Sequence, residues 1–417
     1  MESCPIVVVG GGAAGFFAAI HAAQTGRRVV LLEKTQKLLT KVAISGGGRC
    51  NVTHACPHAS QLVRRYPRGG KELKKAFDIF GTQHTVKWFE SRGVALKTEA
   101  DGRMFPVSDS SASIVNCLMK EAAKAGVEIR TAWAVQSLQK KSDGTYLLRS
   151  KTGAELLTPN LIIAAGGFSK ESDYVLFESL NLKTISPVPS LFTFNVPNGG
   201  MSDLMGLSVP RATVQIEGTK WKEEGPLLIT HWGFSGPAVI KLSAWAARDL
   251  HERSYRFSAL INWTAMGEEE VRNELMNRRE QHPRQNPAAH PMFDLPGRLW
   301  NRLLERAGII EKPWSEQSNR ALNLLTEQLV RSKFEVSGKT TFKEEFVTCG
   351  GIDLSEVNLK TFECLNHPGL FFVGEILNVD GVTGGFNFQH AWTSGFLAGS
   401  RAAKRTTEPS PLASGAK

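Results

Sequence analysis

The sequence has little with which to cross a membrane, staple itself or hold a metal. No apolar run reaches the roughly 18 residues that a bilayer-spanning helix needs, and the apolar stretch nearest the N-terminus breaks at once into glycines. The six cysteines, Cys4, Cys50, Cys56, Cys117, Cys349 and Cys364, show no CxxC spacing and are too sparse for a disulfide scaffold, so reduced thiols are expected. Without a signal peptide the expected compartment is the cytoplasm. No metal-ligand cluster and no Ser/His/Asp ordering stands out, which sets aside metal and nucleophilic-triad chemistry. What is present is 417 residues, 41% hydrophobic and 22% charged, enough for two or three domains with sizeable cores. The formal net charge of +10 is a moderate excess, concentrated in residues 64–75 (RRYPRGGKELKK) and, with acids interleaved, in 272–306. It is compatible with a polyanionic partner such as RNA or an anionic membrane surface, but a solvated face, or attraction of an anionic cofactor or substrate, is the favoured reading.

Residues 5–10, PIVVVG, are a continuous apolar and β-branched run, the pattern of a strand buried on both faces of a parallel sheet. Glycines follow directly in GGGAAG. Gly10 suits a tight turn, Gly12 lets backbone approach a pyrophosphate, and Gly15 lets a helix pack closely on the strand. That helix is expected over residues 13–24, with its free N–H groups and positive dipole end facing the phosphates. A second apolar run, VVLL at 29–32, ends in Glu33, where a carboxylate meets a ribose diol. One βαβ unit therefore carries the whole dinucleotide fingerprint. It leaves FAD and NAD both open and disfavours NADP, whose 2′-phosphate the acid would repel.

Residues 41–51, KVAISGGGRCN, form a second glycine cluster, expected to be neither strand nor helix interior. Gly46, Gly47 and Gly48 offer backbone without Cβ atoms to a flat or phosphorylated ligand, and Arg49 places a permanent cation beside it. Helices are expected over 71–92 and 111–125, and strands over 127–131, 133–138 and 146–149. A strand at 161–165 ends in Gly166 and Gly167, as where a parallel sheet meets its ligand. From Pro187 the pattern changes to short strands (191–196, 209–216, 227–230, 255–263) around a helix at 238–250, then three helices (268–281, 297–307, 315–332). Strands resume at Phe334 and Phe346. LFFVG at 370–374 is again a buried strand, followed by a glycine-rich loop with Asp380, Gly381, Gly384 and Gly385, and a small-residue helix over 388–402. The N-terminus of that helix would stabilise negative charge developing at a flavin N1 and C2 carbonyl.

With SGGGRCNVT, THWGFSGPAV, TCGGIDL and VGEILNVDGVTGGFNFQHAWTSGFLAG in this order, the chain from about residue 5 to about residue 402 resembles the YhiN/BaiN-type flavoproteins. These are NAD(P)/FAD-dependent oxidoreductases that include a bile-acid Δ4,6-reductase. The resemblance implies an α/β fold: a Rossmann-like FAD-binding domain (1–189 and 345–403) interrupted by a β-rich pseudo-barrel domain (190–264 and 333–344) with a helical insert (265–332). Residues 404–417 are expected to be a disordered tail. The resemblance also implies FAD at the first motif, with Gly10, Gly12, Ala14 and Gly15 at the pyrophosphate and Glu33 with Lys34 at the adenosine ribose. Ser45, Gly46, Gly47, Gly48, Arg49, Cys50 and Asn51 would line the pyrophosphate and flavin, and Val135 would meet the adenine through its backbone. Ala165, Gly166, Gly167, Gly374, Glu375, Asp380, Gly384, Gly385, Phe386, Asn387 and Phe388 would hold the ribityl chain and isoalloxazine. No second GxGxxG follows, so NAD(P)H as electron donor would visit the flavin transiently.

Reduction of a substrate stacked on a flavin also needs a proton donor. His231, in THWGFSG at a strand end before a helix, is the first candidate; a histidine bonded to its own loop is the alternative. His390 is read as structural, Arg49 as neutralising pyrophosphate, and Cys50 as a packed neutral thiol. The expectation is an FAD-dependent oxidoreductase that reduces an activated, enone-type C=C bond of a small apolar substrate with electrons from NAD(P)H, the substrate class resting on the resemblance alone. The alternatives are a flavin-dependent RNA-modifying enzyme, suggested by the basic balance, and a flavin-bound sensor without turnover. A small molecule is expected as partner in preference to a nucleic acid or a membrane.

Overall fold

A computed structural model describes residues 2–197, 199, 201–309, 312–340 and 347–405. The chain divides into two compact units, residues 1–188 with 347–417, and residues 189–346. The strand expected to resume at Phe346, and the tail from 406 onward, lie outside the described residues.

The first unit is built on a seven-stranded sheet. Its parallel core consists of β1 (Ile6–Val9), β2 (Val29–Leu32), β3 (Glu128–Arg130), β4 (Leu161–Ile163) and β5 (Leu370–Phe372), in spatial order β5-β4-β1-β2-β3. Val7 pairs with Leu161 on one side and Val30 on the other, and Leu161 with Leu370. Every residue of β1, β2, β4 and β5 is buried, as the unbroken β-branched runs require of a sheet covered on both faces. Two short strands, Val357–Asn358 and Glu363–Cys364, extend the β5 edge antiparallel. Helix α1 (Ala13–Ala23) follows β1, and α2 (Phe386–Lys404) lies against it. A Cβ at Gly395 would come within 2.7 Å of Ala14 O, and one at Gly399 would collide with Ala18 O. The small-residue face of α2 is what allows backbone to approach backbone.

Two elements of the first unit differ from the sequence expectation. The helix expected over 71–92 is two helices, Lys74–Ile79 and Thr82–Glu90, because Phe80 leaves the helical region and Gly81 opens a new N-terminus, its N–H donating to His84 Nδ1 at 3.1 Å. The second glycine cluster begins as a helix, Thr40–Gly48, which breaks where Ser45 turns extended (ψ 150°) and Gly46 and Gly47 take positive φ. The periodicity of residues 40–44 was masked by the glycines that follow.

In the second unit seven antiparallel strands run in the order Ser332–Ser337, Arg256–Asn262, Ser208–Ile216, Lys222–Ile229, Gly233–Ser235, Thr193–Asn195, Lys339–Thr340. The two ends of this order belong to one stretch of chain. Arg256 pairs with Ser337, and after Gly338 (φ +105°) Lys339 pairs with Phe194, so the sheet closes on itself as a barrel-like layer. The helix expected over 238–250 is broken at Ala246 into Pro237–Trp245 and Ala247–Glu252. The helices Glu268–Gln281, Gly297–Arg306 and Asn319–Arg331 share one core with the strands: Val271, Trp300, Trp314 and Leu325 join the same buried cluster as Ile261, Trp263 and Phe334.

Candidate functional site

The site residues converge at the carboxyl ends of β1, β4 and β5, where the strand order turns back around β1 and open α/β sheets bind their ligands. Gly10 has φ +117°, and a Cβ there would overlap Ala164 O; a Cβ at Gly15 would overlap Gly10 O. These two glycines are consumed by packing β1, β4 and α1 together. Gly12 is different: it caps α1 in an extended conformation (φ −94°), and nothing lies within 4 Å of where its Cβ would be. Helix α1 has neither a side-chain cap nor an acidic residue in its first turn. Its first N–H groups thus face an open side without a competing carboxylate, which suits a phosphate.

Glu33, 9% exposed, is fixed by its neighbours: Oε2 accepts from Gly11 N at 2.8 Å and Oε1 from Thr35 N at 2.9 Å. Oε1 also accepts from Thr35 Oγ1 at 3.0 Å, so Oε2 is the oxygen that keeps lone-pair capacity for a diol. Trp133 N donates to Glu33 O at 2.8 Å, which brings the segment leading into Val135 alongside, while Lys34 is exposed. Val135 is half-buried at the start of the strand Val135–Lys140, beside a register shift.

Helix α2 supplies a second N-terminus with no cap or acid of its own. Gly385 (φ +88°) opens it, and a Cβ there would lie 2.6 Å from Thr53 O. With the Asn51 amide nitrogen donating to Thr53 O at 2.9 Å, its oxygen accepts from Gly385 N at 3.0 Å. Tyr66 Oη donates to Phe386 O at 2.7 Å, and His54 Nδ1 lies 3.2 Å from Gly384 O. Asn387 brackets Gly381, accepting from its N–H at 2.8 Å and donating to its carbonyl at 3.0 Å. Phe388 is half-buried and stacked on Trp392 at 5.8 Å. Gly374 N donates to Ser394 Oγ at 2.9 Å, which fixes the end of β5 on α2.

Several side chains expected to touch ligand are committed to protein partners. Asp380 is wholly buried, and its carboxylate is gripped bidentately by the Arg68 guanidinium, which makes it the lock of the loop before α2. Arg49 pairs with Glu99 at 2.6 Å and lies 4.0 Å over the Phe105 ring. Glu375 bridges Thr348 N (3.0 Å) and Lys41 Nζ (2.7 Å), and a Cβ at Gly167 would come within 2.8 Å of Glu375 Oε1. Burial pushes the Cys50 thiol up to about 12, so it is a neutral packed group; all six cysteines are free and buried. His390 is held near 4 by burial, with Nε2 3.2 Å from Gly374 O. His54, Tyr66, Arg68, Lys41 and Thr348 also belong to this surrounding, although no sequence motif singles them out. Arg68 and Tyr66 lay inside what read as a charge run, and nothing local marks their partners, more than 300 residues away.

His231 belongs to the second unit. It is exposed at a hairpin turn in which Thr230 N donates to Gly233 O at 2.8 Å, with its ring 4.3 Å from that of Trp232. A short strand, Gly233–Ser235, separates it from the helix it was expected to precede. No group of three or more His, Cys, Asp or Glu suited to a metal occurs among the described residues, and none of their helices is long and apolar enough to cross a membrane.

The first unit fits FAD on its own terms. It has open backbone at Gly12 and Gly166, two helix N-termini free of acids, a fixed acceptor at Glu33, and buried polar atoms without partners at Asn378 Oδ1, His390 Nδ1 and Tyr174 Oη.

The chain is 29% identical over 403 residues to the ribosomal RNA dihydrouridine synthase of Escherichia coli K12, covering 94% of this chain and 96% of that protein. It is also 29% identical over 412 residues to the 3-dehydro-bile acid delta(4,6)-reductase of Clostridium scindens, covering 96% and 99%. Its fold is similar to the crystal structure of 3-ketosteroid-delta4-(5alpha)-dehydrogenase from Rhodococcus jostii RHA1, with a TM-score of 0.54 over 97% of each chain at 14% identity. Residues 4–401 match the HI0933-like protein Rossmann domain, and the chain belongs to that family of flavoprotein oxidoreductases, with its mixed α/β Rossmann-type FAD-binding fold.

Proposed function

We propose that the protein binds FAD in the first unit and reduces a carbon–carbon double bond conjugated to a carbonyl, with NAD(P)H as electron donor. The observation that carries the cofactor is the pair of uncapped helix N-termini, α1 at Gly12 and α2 at Gly385, on one sheet end. The α1 N–H groups would hold the pyrophosphate, Glu33 the adenosine ribose, and the turn Ala165, Gly166 and Gly167 with Gly374 and Glu375 the ribityl side. The α2 N–H groups would face the pyrimidine edge of the isoalloxazine, where a positive dipole end favours added negative charge. When bound, the flavin supplies two-electron transfer to carbon. The bond type is supported by what the relatives share. Dihydrouridine is uridine whose carbonyl-conjugated C=C is saturated, and a delta(4,6)-reductase acts on ring double bonds of a 3-dehydro compound. His231 is retained as the proposed proton donor.

A small apolar enone is the first substrate reading. RNA is the second, favoured by one observation. Arg64, Arg65, Lys71, Lys74 and Lys75 are exposed, and no carboxylate pairs with them among the described residues. Their segment is tied to the loop before α2, with Val382 N donating to Arg65 O at 2.9 Å. Anaerobic addition of NADH or NADPH should bleach the flavin band, and an enone or a uridine-containing RNA should restore it. A protein that takes up no FAD would overturn the proposal. If RNA is the substrate, its binding should fall steeply with salt, and charge reversal at Lys74 and Lys75 should flatten that slope.

A further inference from the structure

The segment after the Gly166–Gly167 turn runs as a short 3-10 helix, Glu171–Leu180, and carries Tyr174. The chain has four tyrosines. Tyr66 Oη donates to Phe386 O at 2.7 Å, Tyr146 Oη to Pro368 O at 3.1 Å, and Tyr255 Oη lies 3.1 Å from His251 Nδ1. Tyr174 alone, 6% exposed, buries a hydroxyl whose proton has no acceptor, the backbone N–H of Phe168 being the group that faces its oxygen. A buried hydroxyl whose proton finds no acceptor is destabilising, so such groups are rare where nothing binds. The ring is held edge-on to Phe168, with centroids 4.9 Å apart. Burial first, and then the charge on Glu375, push the phenol up to about 12, so it stays protonated and acts as a donor at any working pH. Glu375 does not serve as the acceptor in the structure, since its oxygens receive Thr348 N and Lys41 Nζ.

We propose that Tyr174 is a ligand-contacting residue, its Oη donating a hydrogen bond to an oxygen of the FAD held by the Gly166–Gly167 turn and the Gly374–Glu375 loop. The inference rests on the FAD reading above and adds a contact from outside every glycine-rich motif. Tyr174→Phe keeps the ring and deletes the donor. In apoprotein titrated with FAD and followed by flavin fluorescence, the variant should bind roughly three- to tenfold more weakly, a net loss expected of one neutral hydrogen bond. Its bound flavin should show shifted visible bands, while the melting temperature of the apoprotein stays close to that of the wild type, because the ring and its packing are kept. Wild-type affinity together with an unchanged spectrum would overturn the inference. Should wild-type apoprotein itself take up no FAD, both readings fall; if wild type binds FAD and the variant matches it in affinity and spectrum, only this one does.

Discussion

The two helix N-termini of the first unit present the same chemistry and are built in opposite ways. The α1 terminus is made by one contiguous stretch: Gly10, Gly12, Gly15 and Glu33 lie within a single βαβ unit, and its contacts are mostly backbone. The α2 terminus is assembled from afar, with Asn51, His54, Tyr66 and Arg68 meeting residues 380–386 across more than 300 positions of chain. A turn built by close approach of backbone is specified by where side chains are absent. A turn built by side-chain bonds is specified by partners that no local pattern reveals.

The sharpest way to break the first terminus is to separate its packing glycine from its ligand-facing one. Gly15→Val places a Cβ inside Gly10 O, where only backbone could yield, and should cost more than about 4 kcal/mol, giving insoluble protein or a collapsed thermal transition. Gly12→Val has open space and an ordinary φ of −94°, so it should stay soluble with a near wild-type melting temperature yet purify without flavin. Equal damage from both substitutions would refute the division of labour between the two glycines.

The second terminus breaks at its buried ion pair. Arg68→Met leaves the fully buried Asp380 carboxylate without its guanidinium and should destabilise by about 3–5 kcal/mol in chemical denaturation. Adding Asp380→Leu should recover most of that loss, because the penalty lies in the stranded charge. Two singles that simply add would mean that the pair does not lock the loop.

These contrasts also explain what the sequence made legible. The parallel core strands, the α1 turn and the glycine positions around α2 could be read directly, because buried runs and missing Cβ atoms leave local marks. The closure of the second unit's sheet through Ser332–Thr340, the hairpin position of His231, and the protein partners of Arg49, Glu375 and Asp380 could not. Each depends on a pairing between distant segments.

The smallest effects sharpen the comparison within the helices themselves, since each carries one buried histidine. Burial holds both His21 and His390 near 4, below the ordinary 6.5, so the unfolded chain binds more protons than the folded one between those values. Stability should therefore be full above about pH 6.5 and decline as pH falls toward 4, by at most on the order of 3 kcal/mol for each residue. The two differ in what the ring does when neutral. His21 is satisfied at both nitrogens, with Nδ1 2.7 Å from Phe17 O and Nε2 accepting from Trp88 Nε1 at 3.2 Å. His390 bonds only through Nε2, and its Nδ1 has no partner. At pH 7.5, His21→Leu strands the Trp88 indole N–H, while Phe17 O keeps its helical backbone bond, and should cost about 1–3 kcal/mol. His390→Leu strands no group, since Gly374 O still accepts from Leu377 N at 3.2 Å, and it removes an unpaired acceptor, so its cost should stay near 1 kcal/mol or below. Both variants should flatten the acid limb of the stability profile by similar amounts, because that limb depends on the buried charge and not on the bonds the neutral ring makes. An acid limb as steep in either variant as in the wild type would mean that the histidine it lacks does not contribute to it.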